Sequence, residues 1–579
     1  MNRRTFLLTT GGLSVAGGLA GAAAVKAWNG GRAAAGPAPD EGRVAPQLDA
    51  DVVIVGGGLG GCAAALGALR EGATVILTEE TDWVGGQLTT QCVPPDEHQF
   101  VESSGCTSEY RRLRTRVRDA YRNRADAKLT AAARGNPKLN PGNGWVSRLC
   151  AEPRVWLGEL EAMLQPGVAS GKLRILRNWQ AVSADTDRDT VRAVTGRTLD
   201  GVAQTLTGKY FLDATELGDL LPLTKTEFVT GSESSKETGE PSAGAKARPD
   251  NIQSFTWVFA LDHDPDGTHT IPKPNEYDFW RNYKPAYAAN KQLSWVYPAG
   301  DKDGKPRLGF DPTKEKAEYG ANLWTYRRAL DTRVFEKGHK LTDVSLINWG
   351  QNDHHRGPLI GVSDEEAAKN SAAARAQSLS LLYWLQTEAP RPDGKTGWPG
   401  LRLRPDVTGT PDGIAKRPYI RESRRIQAEF TVLEQHVSKP VRTKEHTGAG
   451  IPRAVQFKDT VGVGLYLYID IHATSGGDSG GGTGVLPFQV PMGSLLPKRV
   501  DNLLAACKNL GVTHITNGCY RLHTVEWSIG EAAGALAAYA AKSGKLPRQI
   551  RADAVSLADF QKRLTQGGAE IAWPATATN

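Results

Sequence analysis

The sequence predicts an α/β protein built around a Rossmann-like, mostly parallel sheet. Three observations support this fold class. An apolar run over Asp51–Val55 leads into glycines with the G-x-G-x-x-G spacing, at Gly56, Gly58 and Gly61. An Ala-rich helical pattern follows at once, and a second apolar strand, Ala73–Glu79, then ends in an acid. A buried strand, a glycine turn, a helix and a parallel strand form the βαβ unit that holds the pyrophosphate of a dinucleotide.

The residues of this unit have distinct expected roles. Gly58 lets the backbone approach the pyrophosphate, and Gly61 lets helix and strand touch. Glu79 stands where a carboxylate accepts both hydroxyls of an adenosine ribose, with the adjacent Glu80 as the alternative. A purely structural turn is the alternative for the whole motif, because glycine-rich turns are common. The predicted cofactor-binding residues here are Gly56, Gly58, Gly60, Gly61 and Glu79.

Composition describes an ordinary soluble globular protein. The 579 residues suffice for two or three domains, with 40% hydrophobic and 23% charged residues. Part of the net charge of +7 lies in a predicted helix, Ser108–Lys128, which carries seven arginines. We expect a solvated helix face rather than a nucleic-acid site, because no base-stacking aromatic pattern accompanies the arginines.

The cysteines give no metal or redox motif. None of the six forms a C-x-x-C pair, which disfavours a zinc ribbon or a thioredoxin-like site, and we predict no metal site. An even count in an exported protein permits disulfides, but the sequence cannot pair them. Cys62, in the first helix, is expected to be a small buried residue.

The N-terminus predicts export. Arg3-Arg4 precede Phe6-Leu7 and a weakly apolar run to Val25, which together are typical of a twin-arginine signal over 1–35. An uncleaved N-terminal anchor is the alternative. A linker over 36–48 follows. No second stretch approaches the length of a membrane helix, so we expect no integral membrane domain in the mature chain, a periplasmic or extracellular location, and the twin-arginine export machinery as a partner.

A second glycine motif makes the resemblance specific. After the second strand comes Trp83-Val-Gly-Gly-Gln-Leu-Thr-Thr-Gln, and Asp96-Glu-His follows shortly after. This sequence motif resembles that of the glutathione-reductase-like FAD proteins, and within them a family described as FAD-dependent oxidoreductases. The resemblance implies FAD rather than NAD as the cofactor, with a loop passing over the phosphates and Gln87 donating to them. Its predicted cofactor-binding residues are Gly85, Gly86, Gln87 and Leu88.

The same resemblance places three further cofactor contacts. A strand over Lys172–Val182 passes the adenine, with contact near Val182. Where the family has Ala-Thr-Gly, this chain has Ala-Thr-Glu216, which leaves open which of Thr215, Gly218 and Asp219 faces the cofactor. The closing motif starts at Ser528, where a helix N-terminus would be aimed at the flavin; a simple Ala-rich core helix is the alternative. Its predicted contacts are Gly530, Glu531 and Ala532.

These landmarks divide the chain. We predict an FAD-binding domain from 49–225 and 485–545, an inserted α+β substrate or cap domain over 226–484, and a C-terminal helix and tail over 546–579. In the inserted part, Glu227–Asp250 is expected to be a mobile surface loop or a lid. Further expectations are a capped helix over Glu366–Leu385, a helix over Ala428–Val437 and a strictly alternating strand over Gly464–His472.

Candidate catalytic residues lie on the segments that the fold would bring to the flavin. They are His523 and Arg521 before the closing helix, His354 with its neighbours Asp353 and His355, His472 with Asp470, and Arg421, which could clamp an anion. Because no second G-x-G-x-x-G is present, we expect electrons to pass to oxygen, a quinone or another carrier. The predicted function is an exported FAD-dependent oxidoreductase acting on a small organic substrate. A lyase, hydratase or isomerase on the same fold, and an FAD-binding carrier or sensor without turnover, are the alternatives.

Overall fold

The computed structural model describes residues 43–296, 308–317, 321–447 and 450–577. The predicted export signal, 1–35, and most of the predicted linker lie outside these residues. Within the described ranges, no helix combines the length and the apolar character needed to cross a membrane.

Strands and helices are numbered along the chain. The strands are β1 Leu48–Val55, β2 Val75–Glu79, β3 Leu173–Arg177, β4 Trp179–Asp187, β5 Thr190–Thr198, β6 Ala203–Asp213, β7 Phe228–Val229, β8 Phe255–Thr256, β9 Phe259–His263, β10 Leu308–Gly309, β11 Ala321–Asn322, β12 Arg328–Leu330, β13 Val344–Ile347, β14 Asp353–His354, β15 Leu401–Leu403, β16 Arg425–Ile426, β17 Thr460–Gly464, β18 Phe488–Pro491 and β19 Leu503–Ala505. The helices are α1 Leu59–Arg70, α2 Ser108–Arg122, α3 Ala131–Gly135, α4 Pro153–Ala169, α5 Leu220–Leu223, α6 Ser235–Thr238, α7 Tyr277–Asn282, α8 Leu323–Tyr326, α9 Asp364–Thr387, α10 Pro405–Thr408, α11 Glu434–Val437, α12 Lys439–Glu445, α13 His514–Tyr520, α14 His523–Ser543, α15 Pro547–Ala552 and α16 Ala554–Gln566. Short 3-10 helices cover Gly86–Leu88, Thr332–Val334, Gly350–Asn352 and Met492–Leu495.

The main sheet confirms the predicted fold class. Its strand order is β3-β2-β1-β6-β5-β4, with β19 pairing beside β6. Strands β1, β2, β3, β6 and β19 pair in parallel, whereas β4, β5 and β6 form an antiparallel meander. The predicted single strand over Lys172–Val182 is wrong: Asn178, with φ 55°, separates β3 from β4. The parallel pairing brings the carboxyl ends Val55, Glu79 and Asp213 to one edge of the sheet.

Helix α14 crosses α1 at very short range. A Cβ added at Gly530 would lie 2.0 Å from the Gly60 carbonyl oxygen. A Cβ added at Gly534 would lie 1.9 Å from the Ala64 carbonyl oxygen. The helix begins at His523, not at Ser528, so the predicted start of the closing helix is wrong. The Ala- and Gly-rich run is the middle of the helix, where small side chains allow two helix backbones to approach.

A second core lies in the middle of the chain. The sheet β12-β13-β9-β15 packs with α9 around a cluster rich in tryptophan. Ser363 caps α9, accepting a hydrogen bond from the backbone N–H of Glu366 at 3.2 Å, which confirms the predicted helix and its cap. The buried tryptophans of this cluster are Trp257, Trp280, Trp295, Trp324, Trp349, Trp384 and Trp398.

Two expectations about the middle of the chain are wrong, and a third holds in part. Glu227–Asp250 lies mostly at the surface, but it is anchored there because buried Glu240 accepts hydrogen bonds from the Glu434 N–H at 2.8 Å and the Thr513 hydroxyl at 2.7 Å. Its role as a lid stays a prediction. Only the last four residues of the predicted helix Ala428–Val437 are helical. The alternating segment after Gly464 forms isolated bridges instead of a strand, and Leu467, one of its apolar residues, is 56% exposed.

The arginines of α2 do not form a single solvated face. Arg114 is fully buried and pairs with Glu97 at 2.8 Å and Glu102 at 2.7 Å; Arg118 also pairs with Glu102, at 2.7 Å. Helix α2 is therefore tied to the loop after Asp96 by a buried ion-pair network. The six cysteines are free and buried, and the expectation for Cys62 is confirmed.

Candidate functional site

A deep pocket opens at the carboxyl edge of the main sheet. It has about 1660 Å³ of empty space, including its open mouth. Gly56, Gly58 and Gly86 line one part of it, and Glu79 lines another. Because the α1 N-terminus and the strand ends meet here, the pocket occupies the place where this fold binds a dinucleotide.

The glycines of the first turn serve two purposes. At Gly56, φ is 106° and an added Cβ would lie 2.3 Å from the Ala214 carbonyl oxygen, so no other residue fits. Gly60 and Gly61 do not line the pocket: their added Cβ atoms would lie 2.1 Å from the Ala506 oxygen and 2.0 Å from the Gly56 oxygen. These two glycines permit helix α1 to pack on the strand ends.

The loop after β2 supports the first turn. The Gly85 N–H donates to the Gly57 carbonyl at 2.7 Å, and Gly86 lines the pocket. The amide of Gln87 donates to the Glu526 carboxylate at 2.6 Å and to the Arg521 carbonyl at 3.1 Å. Both of its hydrogens are used, so the expectation that Gln87 donates to phosphates is wrong, and its side chain instead ties this loop to the start of α14. The neighbouring Leu88 is buried in the core.

Two carboxylates stand at the end of β2. Glu79 Oε1 accepts hydrogen bonds from the N–H and the hydroxyl of Thr81, both at 2.9 Å. Burial, with the neighbouring Glu80, raises the pKa of Glu79 to about 7. Glu80 pairs with Arg417. Both carboxylates line the pocket, so either one could accept hydrogen bonds from the hydroxyls of a ribose.

The remainder of the pocket lining includes several apolar side chains. They are Trp179, Ala181 and Leu223, together with Ala367 and Ala368 of α9. An indole ring and aliphatic side chains suit a planar ring such as adenine.

Of three predicted contacts near this part of the pocket, one is displaced and two are retained. Val182 is the extra residue of a β-bulge between β4 and β5, so Gln180 and Ala181 line the pocket in its place. Thr215 and Asp219 do line it, and the Asp219 N–H donates to the Thr215 hydroxyl at 2.6 Å.

The residues of the closing motif face a helix instead of the pocket. Gly530 contacts α1, and Ala532 is buried beside it. Glu531 pairs with Arg70 at 2.6 Å and accepts from the Trp527 indole N–H at 2.9 Å. Their prediction as cofactor contacts is wrong, because α14 begins two turns earlier and presents residues from His523 onward at its N-terminus.

Beyond the pocket, five charged side chains form a continuous row. Arg421 donates to Asp353 at 2.8 Å, and the other oxygen of Asp353 lies 2.6 Å from His472 Nδ1. His472 Nε2 lies 3.2 Å from Asp470, which accepts from Arg521 at 2.6 Å. The structure thus joins three predicted catalytic residues, Arg421, His472 and Arg521, through two aspartates. We name this row the charged row.

The charged row fixes the protonation of its members. Burial opposes ionisation, but the neighbouring Arg421 and His472 outweigh it and hold the pKa of Asp353 well below its ordinary value. For Asp470, His472 and Arg521 outweigh burial in the same way and lower its pKa. Burial and Arg421 would lower the pKa of His472, but the two aspartates outweigh them and raise it. His472 is therefore favoured as an imidazolium between two carboxylates.

His523 is set up differently, at the first position of α14. Its Nδ1 accepts a hydrogen bond from the Asp96 N–H at 3.0 Å, so the neutral ring carries its proton on Nε2. Burial lowers the pKa of His523 to about 4, which keeps the ring neutral near pH 7. Nε2 is buried and has no hydrogen-bond partner among the described residues. His523 therefore offers an N–H donor at the start of the helix.

His354 does not join the charged row. It packs against Phe255 and Trp280 in the second core, and its Nδ1 lies 2.9 Å from the Gln377 amide oxygen. Burial lowers the pKa of His354 to about 4. The structure therefore does not bring His354 to the other predicted catalytic residues; its neighbour Asp353 carries the side chain that meets His472.

Other functional candidates were missed from the sequence. Arg327 is buried with its guanidinium 3.5 Å from Asp96, and the Tyr419 hydroxyl accepts from Arg521 at 2.8 Å. The Asp96-Glu-His motif could have identified Asp96 from the sequence, but Arg327 belongs to no motif. No group of three or more His, Cys, Asp or Glu in the described ranges is arranged to hold a metal ion.

The pocket meets the requirements of an FAD nucleotide. It has a glycine cradle at a helix N-terminus (Gly56, Gly58 and Gly86), two carboxylates at the end of β2 and apolar lining groups. The charged row is joined to it through adjacent residues, because Ile420 lines the pocket beside Arg421 and Gln87 binds the Arg521 carbonyl.

Comparison with known proteins agrees with this fit. The family described as FAD dependent oxidoreductase matches residues 51–564. No match was found among curated proteins.

Three of the solved structures that match the chain resemble it only distantly. A quinol fumarate reductase of E. coli is 10% identical with a TM-score of 0.30, covering 90% of this chain and 74% of that chain. The p-nitrophenol 4-monooxygenase of Pseudomonas putida is 13% identical with a TM-score of 0.29, covering 66% and 70%. An L-proline dehydrogenase from P. horikoshii is 15% identical with a TM-score of 0.17, covering 32% of this chain, which spans only 24% of that enzyme's length. These likenesses are too weak to carry an argument.

Proposed function

Because this chain belongs to the family of FAD-dependent oxidoreductases, we propose that it is a flavoenzyme that oxidises or reduces a small organic molecule beside the charged row. The observation that carries the proposal is this row of buried, mutually paired charges next to the dinucleotide pocket. Buried ionisable groups with shifted pKa values are typical of active sites. FAD supplies the exchange of two electrons with the substrate, and the protein supplies binding, orientation and proton movement.

Some residues of the site can donate a proton or a hydrogen bond, and others keep the donors in position. The His472 imidazolium can release a proton to a substrate group and recover it, while Asp353 and Asp470 hold the ring in place. The neutral ring of His523 presents its Nε2–H as a hydrogen-bond donor at the start of α14. Arg521 joins the two regions, since its guanidinium binds Asp470 and its carbonyl is held by Gln87.

We further propose export and an acceptor other than a nicotinamide. The twin arginine and the apolar segment after it support transport of the folded protein through the twin-arginine pathway. The sequence has no second dinucleotide fingerprint for a separate NAD(P)H domain. Oxygen, a quinone or an external carrier is the proposed acceptor.

The test compares flavin content with flavin reduction. The purified protein is expected to show the flavin absorption bands, and a substrate screen under anaerobic conditions is expected to bleach them. The variant Arg521→Met should keep its flavin yet lose most of the bleaching rate, while Arg548→Met, which removes a surface arginine, should bleach like the unaltered protein. A protein that converts its substrate while the flavin stays oxidised throughout would instead be a lyase or isomerase.

A further inference from the structure

A buried lysine stands beside the glycine cradle. Lys508 follows β19 closely, and its side chain is 1% exposed. Its ammonium pairs with the Glu216 carboxylate and lies 3.5 Å from that of Glu526. Burial would lower the pKa of Lys508, but these two carboxylates outweigh it and raise the pKa. A fixed positive charge that the charged row does not use therefore stands beside the cradle, paired with Glu216 of the pocket lining.

The two carboxylates around Lys508 are held differently. Glu526 is fully buried and accepts from the α1 N-terminal N–H of Gly60 at 3.2 Å and from Gln87 at 2.6 Å. It is part of the scaffold that joins α1, the second glycine loop and α14. Glu216 is 23% exposed on its side chain and lines the pocket. Its Oε1 is buried without a hydrogen-bond partner among the described residues.

Glu216 Oε1 lies inside the cradle itself. It would be 2.9 Å from a Cβ added to Gly58 and 2.7 Å from one added to Gly86. These are the glycines whose missing side chains make room for a pyrophosphate. A carboxylate and a pyrophosphate cannot share this space, both because they overlap and because like charges repel at this range.

We propose that Lys508 is a phosphate-binding residue of the FAD site and that Glu216 is its exchangeable partner. When the pyrophosphate enters the cradle, the Glu216 carboxylate swings towards the solvent side of the pocket, and Lys508 passes from that carboxylate to a phosphate oxygen. Glu526 stays in place, because its other partners belong to the backbone and to Gln87. The inference rests on the FAD assignment and on no particular substrate.

A simpler role would be structural, with Lys508 only neutralising its two glutamates. The two roles predict different behaviour in a double-variant comparison. If Lys508 binds phosphate, its removal weakens FAD binding whether or not Glu216 carries a charge. If it only balances charge, the part of its effect that comes from Glu216 disappears once Glu216 is neutral, and the part that comes from Glu526 changes the affinities for FAD and riboflavin alike.

The experiment measures dissociation constants by flavin fluorescence on deflavinated protein. It compares the unaltered chain with Glu216→Gln, Lys508→Met and the double variant. We expect Glu216→Gln to tighten FAD binding by about tenfold, because no charge must then be displaced, and Lys508→Met to weaken it by about tenfold or more in both backgrounds. Riboflavin, which has no phosphate, should bind all four proteins alike. Glu429→Gln, which removes a negative charge paired with Arg548 and Arg551, is the matched control.

Each other outcome is decisive. Unchanged or weaker FAD binding by Glu216→Gln, or loss of the Lys508→Met effect in the double variant, would overturn the proposal. Equal changes in riboflavin affinity would overturn it too, because the effect would then not depend on phosphate. If Lys508→Met alone does not fold, the double variant, which removes one charge of each sign, still allows the comparison with Glu216→Gln. Failure of the unaltered protein to bind FAD would refute the FAD assignment itself.

Discussion

The contact between α1 and α14 allows a direct test of what Gly530 does. In Gly530→Ala, the new Cβ would lie 2.0 Å from the Gly60 oxygen and 2.6 Å from its carbonyl carbon. Restoring an ordinary separation of about 3.5 Å requires the helices to part by roughly 1.5 Å. Both contacts are with backbone, so no flexible side chain can yield.

The expected magnitude follows from two opposing effects. Overpacking of this kind lowers the free energy of unfolding by about 1–3 kcal/mol, and a rigid contact belongs at the upper end. Alanine in place of glycine in a helix returns about 0.5–1 kcal/mol. We therefore expect a net loss of roughly 1–2 kcal/mol, together with weaker FAD binding, because the N-terminus of α1 forms the cradle.

Denaturant unfolding of the flavin-free protein is the assay. Gly158→Ala is the matched control: this glycine lies within α4, and an added Cβ there meets nothing within 4 Å. It should gain about 0.5–1 kcal/mol. If Gly530→Ala were as stable as Gly158→Ala but lost its flavin, Gly530 would face the cofactor after all, and the packing argument would be refuted.

Two further predictions concern buried charges. Since the folded-state pKa of Glu79 is raised to about 7 from an ordinary 4.5, the flavin-free protein binds more protons folded than unfolded between these values, and Glu79 makes its stability fall as pH rises through this window. Glu79→Gln should remove that part of the pH dependence in unfolding curves and weaken FAD retention; a fully flavin-loaded variant with an unchanged pH profile would contradict both expectations. Arg114→Met leaves buried Glu97 without its main partner and should lower the free energy of unfolding by about 3–5 kcal/mol. The control Arg112→Met, at a half-exposed position, should lower it by at most about 1 kcal/mol. Similar losses for the two variants in thermal unfolding would contradict the role of burial.

The sequence was informative where structure is local. The unit from β1 to β2 follows from adjacent residues, since strand, turn and helix patterns need no distant partner. The cap of α9 at Ser363 is equally local. The antiparallel pairing of β5 and β6 is local too, because the turn at Asp200-Gly201 joins the two strands.

Prediction from the sequence failed where a residue's role depends on a distant part of the chain that packs against it. The run around Gly530 shows small residues but not the helix that requires them. Asp353 and His354 are neighbours in sequence, yet only the fold shows which one meets His472. Lys508 and Arg327 belong to no motif, because a lone buried cation is recognised only by the carboxylates around it.

The pairing of α1 with α14 also determines when this protein can take up its cofactor. The cradle begins near residue 56, but Glu526 and Lys508, which complete it, lie more than 400 residues further along the chain. During synthesis, the first βαβ unit therefore waits with an unfinished nucleotide site until almost the whole polypeptide has left the ribosome. Retained flavin consequently reports that both ends of the chain have met, which makes its yellow colour a measure of complete folding.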